Sequence, residues 1–251
     1  MTLPLDGKVA LVTGSARGIG KGIALVLAEQ GADIILNDKY PNLEGDVVQA
    51  QIAEMGRQVM LIQADVSVEA DVKRMFGSIR ADFGRLDILV NNAGTSRAQT
   101  IVEASLDDWN QVINTNRTSC FLCAKAAIDR MPLQRSGRIV NISSVVGEQG
   151  ALFGHVHYAA TKSGMLGFTK TLARTVAPHG ITVNAIAPGI IETELFLKTH
   201  GPDRVEKLSA SVPLGIGKPR QIGLAVAFLC GEGGSYITGA TLDINGGMYM
   251  R

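Results

Sequence analysis

The chain has 251 residues, 46% of them hydrophobic, and a formal net charge of +1. That length and apolar share suit one α/β domain, and the even spread of Lys, Arg, Asp and Glu offers no one-sided basic surface for a nucleic-acid backbone. Three cysteines are too few for a disulfide framework, and no stretch reaches the ~18 apolar residues of a membrane span, so a cytoplasmic protein with neither nucleic-acid nor membrane partners is expected.

Short β-rich runs alternate with amphipathic stretches from end to end. VALVTG precedes KGIALVLAEQG, ADIILND precedes LEGDVVQAQIAEMG, and VMLIQADV precedes EADVKRMFGSIRADFG. The rhythm continues through LDILVNNAG, a helical stretch over about 107–130, RIVNISS, a helix over about 157–176, ITVNAIAPG and a closing TLDING. Continuous apolar runs mark strands covered on both faces, so the pattern predicts an α/β domain over 1–251 with a parallel sheet of about seven strands between helices. Glu192 to Pro219 lies outside that rhythm. Because it follows a strand's carboxyl end, it is either a mobile substrate loop, centred on about 190–212, or a pair of surface helices.

The first predicted strand ends in Thr13-Gly14-Ser15-Ala16-Arg17-Gly18-Ile19-Gly20 and runs straight into a helix. Glycines there permit a tight turn and close approach of a pyrophosphate, to which the helix start offers free N–H groups and partial positive charge. Asp38 closes the second strand at about the spacing where a carboxylate accepts hydrogen bonds from an adenosine ribose. A 2′-phosphate would meet like charge, which favours NAD over NADP. Arg17 and Lys39 stand where a cation could tolerate that phosphate, so NADP stays possible.

In HVHYAATKSG, residues 155–164, Tyr158 and Lys162 share one face of a helix. A phenol of pKa near 10 becomes a base at neutral pH only if about 4 kcal/mol favours its phenolate, and a neighbouring ammonium can supply much of that. Ser144, at a strand end, can hydrogen-bond a reacting oxygen while Tyr158 exchanges its proton. His155 and His157 precede the helix as H-x-H, without acidic or cysteine partners, so no metal is expected; His155 is the better candidate for substrate contact. Cys120 and Cys123 have C-x-x-C spacing but no second ligand pair, which points to buried helix cysteines. His200, Arg204 and Lys207 suggest an anionic or hydroxylated ligand or, more simply, a solvated loop face.

Taken in order, T-G-x-x-x-G-I-G, N-N-A-G at Asn91 to Gly94, a serine before Y-x-x-x-K, and P-G followed by Thr193 are the motifs by which the chain resembles the short-chain dehydrogenase/reductase family over essentially its whole length. The resemblance implies a single Rossmann-type, doubly wound domain that moves a hydride between a nicotinamide and an alcohol or carbonyl carbon. It implies that Tyr158 is the acid or base, Lys162 its electrostatic partner and ribose ligand, Ser144 the holder of the substrate oxygen, and Asn116 part of a proton relay. Gly14, Ser15, Arg17, Gly18, Ile19 and Gly20 match the coenzyme turn, Asp65 and Val66 the adenine contacts, and Asn91, Asn92, Ala93 and Gly94 the coenzyme wall. Pro188 and Gly189 join that wall, and Ile191 and Thr193 match the positions that hold the carboxamide. The interval from Ser144 to Tyr158 is one residue longer than usual in the family. This leaves Ser143 a rival, with Ser144 preferred because S-V-V-G follows it.

The family also implies a homotetramer or dimer, for which Leu166, Phe168 and Leu172 offer apolar helix surface. Two enzymatic readings compete. Asp38 places first an NAD-dependent dehydrogenase of a secondary alcohol such as a sugar, polyol or hydroxy acid. The alternative is an NADPH-dependent 3-oxoacyl-acyl-carrier-protein reductase, similar in SSVVG, ITVNAIAPGIIET and YITGATLDINGGMYM, whose acidic carrier would dock on basic residues near the active-site rim. Arg135 occupies one such position and His179 the other. A non-catalytic sensor on the same fold is opposed by the joint presence of Asn116, Ser144, Tyr158 and Lys162.

Overall fold

The first strand, β1 (Val9–Thr13), is buried at every position, as its unbroken VALVT requires. The computed structural model describes residues 2–41, 43–199 and 201–250. After β1 come α1 (Gly18–Glu29), β2 (Asp33–Asp38), α2 (Leu43–Glu54), β3 (Val59–Gln63), α3 (Glu69–Phe83) and β4 (Ile88–Asn91). The second half runs α4 (Leu106–Ile113), a π-helical turn at Asn114–Thr118, α5 (Ser119–Ile128), α6 (Met131–Gln134), β5 (Gly137–Ile142), α7 (Val146–Gln149) and α8 (Val156–Val176). It closes with β6 (Ile181–Pro188), α9 (Glu194–Thr199), α10 (Pro202–Ala210), α11 (Pro219–Cys230) and β7 (Thr241–Ile244).

All seven strands are parallel, in the order β3-β2-β1-β4-β5-β6-β7. The chain steps outward from β1 to β3, then crosses back to place β4 against β1, pairing Ala10 with Ile88. Connections therefore leave the carboxyl ends of β1 and β4 in opposite directions, and a crevice opens between them, the place where such sheets take ligands. One core layer packs Ile23 and Leu27 of α1, Ile52 of α2 and Ile222 and Val226 of α11 on the sheet; the other packs Met75 and Ile79 of α3, Cys123 of α5 and Val176 of α8. Burying apolar area on both faces stabilises the sheet by roughly 25 cal/mol per Å².

The helical stretch predicted over about 107–130 is present as α4, the π turn and α5 in unbroken succession, and the π turn buries Asn116. Leu166 is buried, and Phe168 and Leu172 are partly buried against the second core layer, so part of the apolar surface of α8 is used within the chain. Glu192 to Pro219 contains α9 and α10, lying past the carboxyl end of β6. Among the described residues no helix is long and apolar enough to cross a membrane.

Candidate active site

The turn after β1 is shaped by what its glycines lack. Gly14 has φ of +62°, and a Cβ there would lie 2.9 Å from Ala93 Cα; a Cβ on Gly20 would overlap the Gly14 carbonyl oxygen and approach Asn92 Nδ2 to 2.6 Å. The Thr13 hydroxyl accepts the N–H groups of Asn92 and Ala93, each at 3.0 Å, and Asn92 Nδ2 donates to the carbonyls of Thr13 and Gly14, each at 2.9 Å. These bonds tie the turns after β1 and β4 together across the crevice. Gly18 opens α1 with no acidic residue in its first turn to compete for an anion. A pyrophosphate fits such a cradle. Ser15 is fully buried and its hydroxyl accepts the Asn37 N–H at 3.0 Å, so it is committed to β2, while Ile19 packs on the core.

From the far side, Gly189 donates its N–H to Ile244 O at 3.0 Å, and Ile191 bridges to Gly217. The methyl of Thr193 would be 3.4 Å from a Cβ on Gly18, which sets the segment after Pro188 against the glycine turn. At the adenosine end, Asp38 accepts the Lys39 N–H at 2.7 Å. The Lys39 ammonium lies 2.9 Å from Asp65, a hydrogen bond that raises its pKa together with one to Tyr40. Burial works against ionisation of Asp65, but hydrogen bonds from Ser67 and Lys39 outweigh it and hold the carboxyl below its ordinary range. Lys39 is thus spent on Asp65, and exposed Arg17 reaches Glu44 at 4.0 Å. Val66 is buried in the core beneath α3.

At the carboxyl ends of β4 and β5, Ser144, Tyr158 and Lys162 come together. Lys162 Nζ lies 5.5 Å from the Tyr158 ring centre and donates to Ile142 O at 2.6 Å. Burial drives its pKa down to about 8. The Tyr158 hydroxyl is pushed above its usual value by burial, against a hydrogen bond with Ser144 that pulls it down. In the chain without coenzyme, loss of solvent is the larger of these two effects on the phenol. The two serines separate, since Ser143 donates to Lys162 O at 2.9 Å while Ser144 meets the phenol. The Asn116 side chain accepts from Thr95 N at 2.7 Å and donates to Thr95 O and Thr161 Oγ1. Through these bonds it pins the loop after β4 to α8.

His155 adopts φ of +56° at the start of α8, edge-on to Tyr158 with ring centres 6.3 Å apart and Nδ1 2.8 Å from Ser96 Oγ. His157 is fully buried. Arg135 and His179 precede β5 and β6, whereas Ser144 follows β5. A strand of that length spans roughly 20 Å, so neither basic residue is at the rim of this chain's own site. Arg204 and Lys207 lie on α10, and His200 is outside the described residues. The described residues contain no cluster of three or more His, Cys, Asp or Glu able to hold a metal. Cys120 and Cys123 are buried in α5, and burial lifts the Cys120 thiol to about 12.

A family model described as enoyl-(acyl carrier protein) reductase matches residues 14–249. The chain is 45% identical to the 3-oxoacyl-[acyl-carrier-protein] reductase of Vibrio harveyi, covering 98% of this chain and 99% of that one. The chain belongs to the short-chain dehydrogenase/reductase family. The relative from Escherichia coli carries the same name at 44% identity, over 98% of both chains. A solved short-chain type dehydrogenase/reductase from Mycobacterium marinum superposes with a TM-score of 0.93 at 32% identity, over 100% of this chain and 98% of that one. As a short-chain dehydrogenase/reductase, the protein is an oxidoreductase of a CH–OH or keto carbon that uses a nicotinamide coenzyme.

Sequence reasoning gave no role to Thr13, which organises both turns, and overlooked Gln99 and Thr161, which hold the loop after β4. The partners of Thr13 lie in the turn after β4, and no local pattern announces such a contact. The T-G pair at a strand end was the one available signal.

Proposed function

We propose that the protein reduces the 3-oxo group of an acyl thioester carried by acyl carrier protein to a 3-hydroxyl group. This reverses the order of the two readings drawn from sequence. What carries it is the full-length identity to reductases of that name.

Bound at the cradle, the nicotinamide would supply the hydride for C3 of the substrate. Ser144 would hold the 3-oxo oxygen by a hydrogen bond, and Tyr158 would donate its proton to that oxygen as negative charge develops there. Lys162, by its position beside the ring, would favour the phenolate left behind. Gly14, Gly18, Gly20, Asn92, Ala93 and Gly94 would receive the coenzyme, with Pro188, Gly189, Ile191 and Thr193 at its nicotinamide end and Asp65 and Val66 at its adenine end. Asp38 would accept the ribose hydroxyls, so NADH is the coenzyme proposed, in place of the NADPH usual for this branch. The segment at 190–212, with α9 and α10, would cover the acyl chain. A homotetramer in the cytoplasm completes the reading.

A second reading keeps its own support: Asp38 suits an NAD-dependent dehydrogenase of a secondary alcohol. Acetoacetyl thioester reduction, followed as loss of coenzyme absorbance, separates them. Turnover of the thioester supports the proposal. Failure with both coenzymes, alongside NAD-dependent oxidation of simple secondary alcohols, overturns it.

A further inference from the structure

His157 has no part in the chemistry above, yet it is fully buried directly beside Tyr158 and both of its ring nitrogens are engaged. Nδ1 lies 2.9 Å from the Tyr158 backbone N–H. That N–H is in the first turn of α8, where no intrahelical acceptor exists, and His155 at the helix start makes no side-chain cap. A nitrogen that accepts from N–H cannot itself carry hydrogen, so the proton of the neutral ring must be on Nε2, which lies 3.2 Å from Gln99 Oε1.

The direction of every bond in this chain is set at its other end. Gln99 Nε2 donates to Asp108 Oδ2 at 3.0 Å, and Asp108 also receives Ser105 Oγ at 2.8 Å and Arg97 at 2.9 Å. Hydrogen bonds from Gln99 and Ser105 keep the Asp108 carboxyl below its ordinary range, so it is an anion that can only accept. Gln99 must then turn its NH₂ toward Asp108 and its oxygen toward His157. The oxygen selects the Nε2–H tautomer, and the bare Nδ1 caps the catalytic helix. Three elements are joined in this way: α4 through Asp108, the loop after β4 through Gln99, and α8 through His157.

We propose that His157 is a positioning residue, which caps α8 at Tyr158 through Nδ1 and latches the loop over about 94–100 through Nε2, with Asp108 setting its tautomer. The idea rests on reading Tyr158 as the acid of the reaction. Protonation of His157 would place a hydrogen on Nδ1 against the Tyr158 N–H and remove the cap. Burial and the neighbouring charge of His155 hold that protonation to lower pH, with Arg97 acting the same way and Asp108 opposing. Activity should therefore have an acid limb, set by this ring, below the ordinary histidine value of about 6.5.

The tautomer is measured on the whole chain labelled with ¹⁵N-histidine, without coenzyme or substrate. Long-range ¹H–¹⁵N correlation should show one of the four histidines as a neutral Nε2–H ring that is lost in His157→Asn, and Asp108→Asn should mix the tautomers of that ring. An Nδ1–H ring, or one indifferent to Asp108→Asn, overturns the proposal. Kinetics supply the second arm. His157→Asn keeps an acceptor where Nδ1 stood but loses the reach to Gln99, so KM should rise by about fivefold, the worth of one hydrogen bond, and the acid limb should vanish. His157→Gln keeps the reach and loses the cap, so kcat should fall by a similar factor, about fivefold. Equal effects of the two variants on kcat and KM, with the acid limb intact, would refute the division of labour. Tyr158→Phe is a separate control: undiminished turnover there would overturn the reading of Tyr158 while the tautomer result stood or fell alone.

Discussion

Asp38→Ala should move coenzyme preference toward NADPH, and the size of the shift follows from charges at the end of β2. Asp38 accepts its neighbour's N–H, and the nearby Lys39 ammonium is drawn 2.9 Å from Asp65. A 2′-phosphate would meet two carboxylates and one committed cation. At about 5 Å each pair of unit charges costs roughly 1–3 kcal/mol, depending on whether the medium resembles water or a protein surface. The site is open, so the lower end applies, and a phosphate of about −1.5 to −2 charge then loses about 2 kcal/mol, or about thirtyfold. The assay compares kcat/KM for NADH and NADPH in parent and variant at fixed ionic strength. We expect the NADH:NADPH ratio to fall by about thirtyfold, partly because NADH loses its ribose hydrogen bonds. A ratio that moves by less than about threefold, or a parent already preferring NADPH, would refute the electrostatic argument.

Lys162 titrates at about 8, below its ordinary 10.5, so the unfolded chain binds more protons between those values and this residue makes stability rise with pH across that window. Lys162→Met should accordingly melt higher than the parent at pH 7, with the gap closing toward pH 10, while coenzyme affinity of the parent, read by nucleotide fluorescence, weakens as pH rises through about 8. Gly20→Ala places a methyl into the Gly14 carbonyl and against Asn92, neither of which can yield without undoing the turn; calorimetry should show at least about tenfold weaker coenzyme binding and about 1–3 kcal/mol lost stability. Asp87 accepts Val9 N at 3.0 Å and a two-pronged contact from Arg85 at 2.8 and 2.6 Å. Asp87→Ala leaves the Val9 N–H unpaired in the core, and urea unfolding should record a loss of about 2 kcal/mol. Since Asp87 precedes β4 at the end of the sheet away from Tyr158, kcat/KM below the melting range should stay level.

Most of the fold was legible because the signals are local. Unbroken apolar runs such as VALVT and ITVNAIAP are buried throughout, and the helices between them follow from amphipathic spacing. The π turn at Asn114–Thr118 escaped notice because its residues, NTNRT, have the composition of any polar helix turn. Distance along a strand was the other blind spot. Arg135 and Ser144 are close in sequence, yet β5 puts them at opposite ends of the sheet.

The sequence by itself determined which groups exist and in what order: the glycine turn, an acid at the end of β2, and a phenol and an ammonium one helical turn apart. Only the tertiary structure decided their state. Lys39 proved to be committed to Asp65, and Ser144 rather than Ser143 faced the phenol. Charge state and hydrogen-bond choice depend on which distant segments remove water and which offer a partner. Those terms are properties of three-dimensional neighbours, and the order of residues along a chain does not contain them.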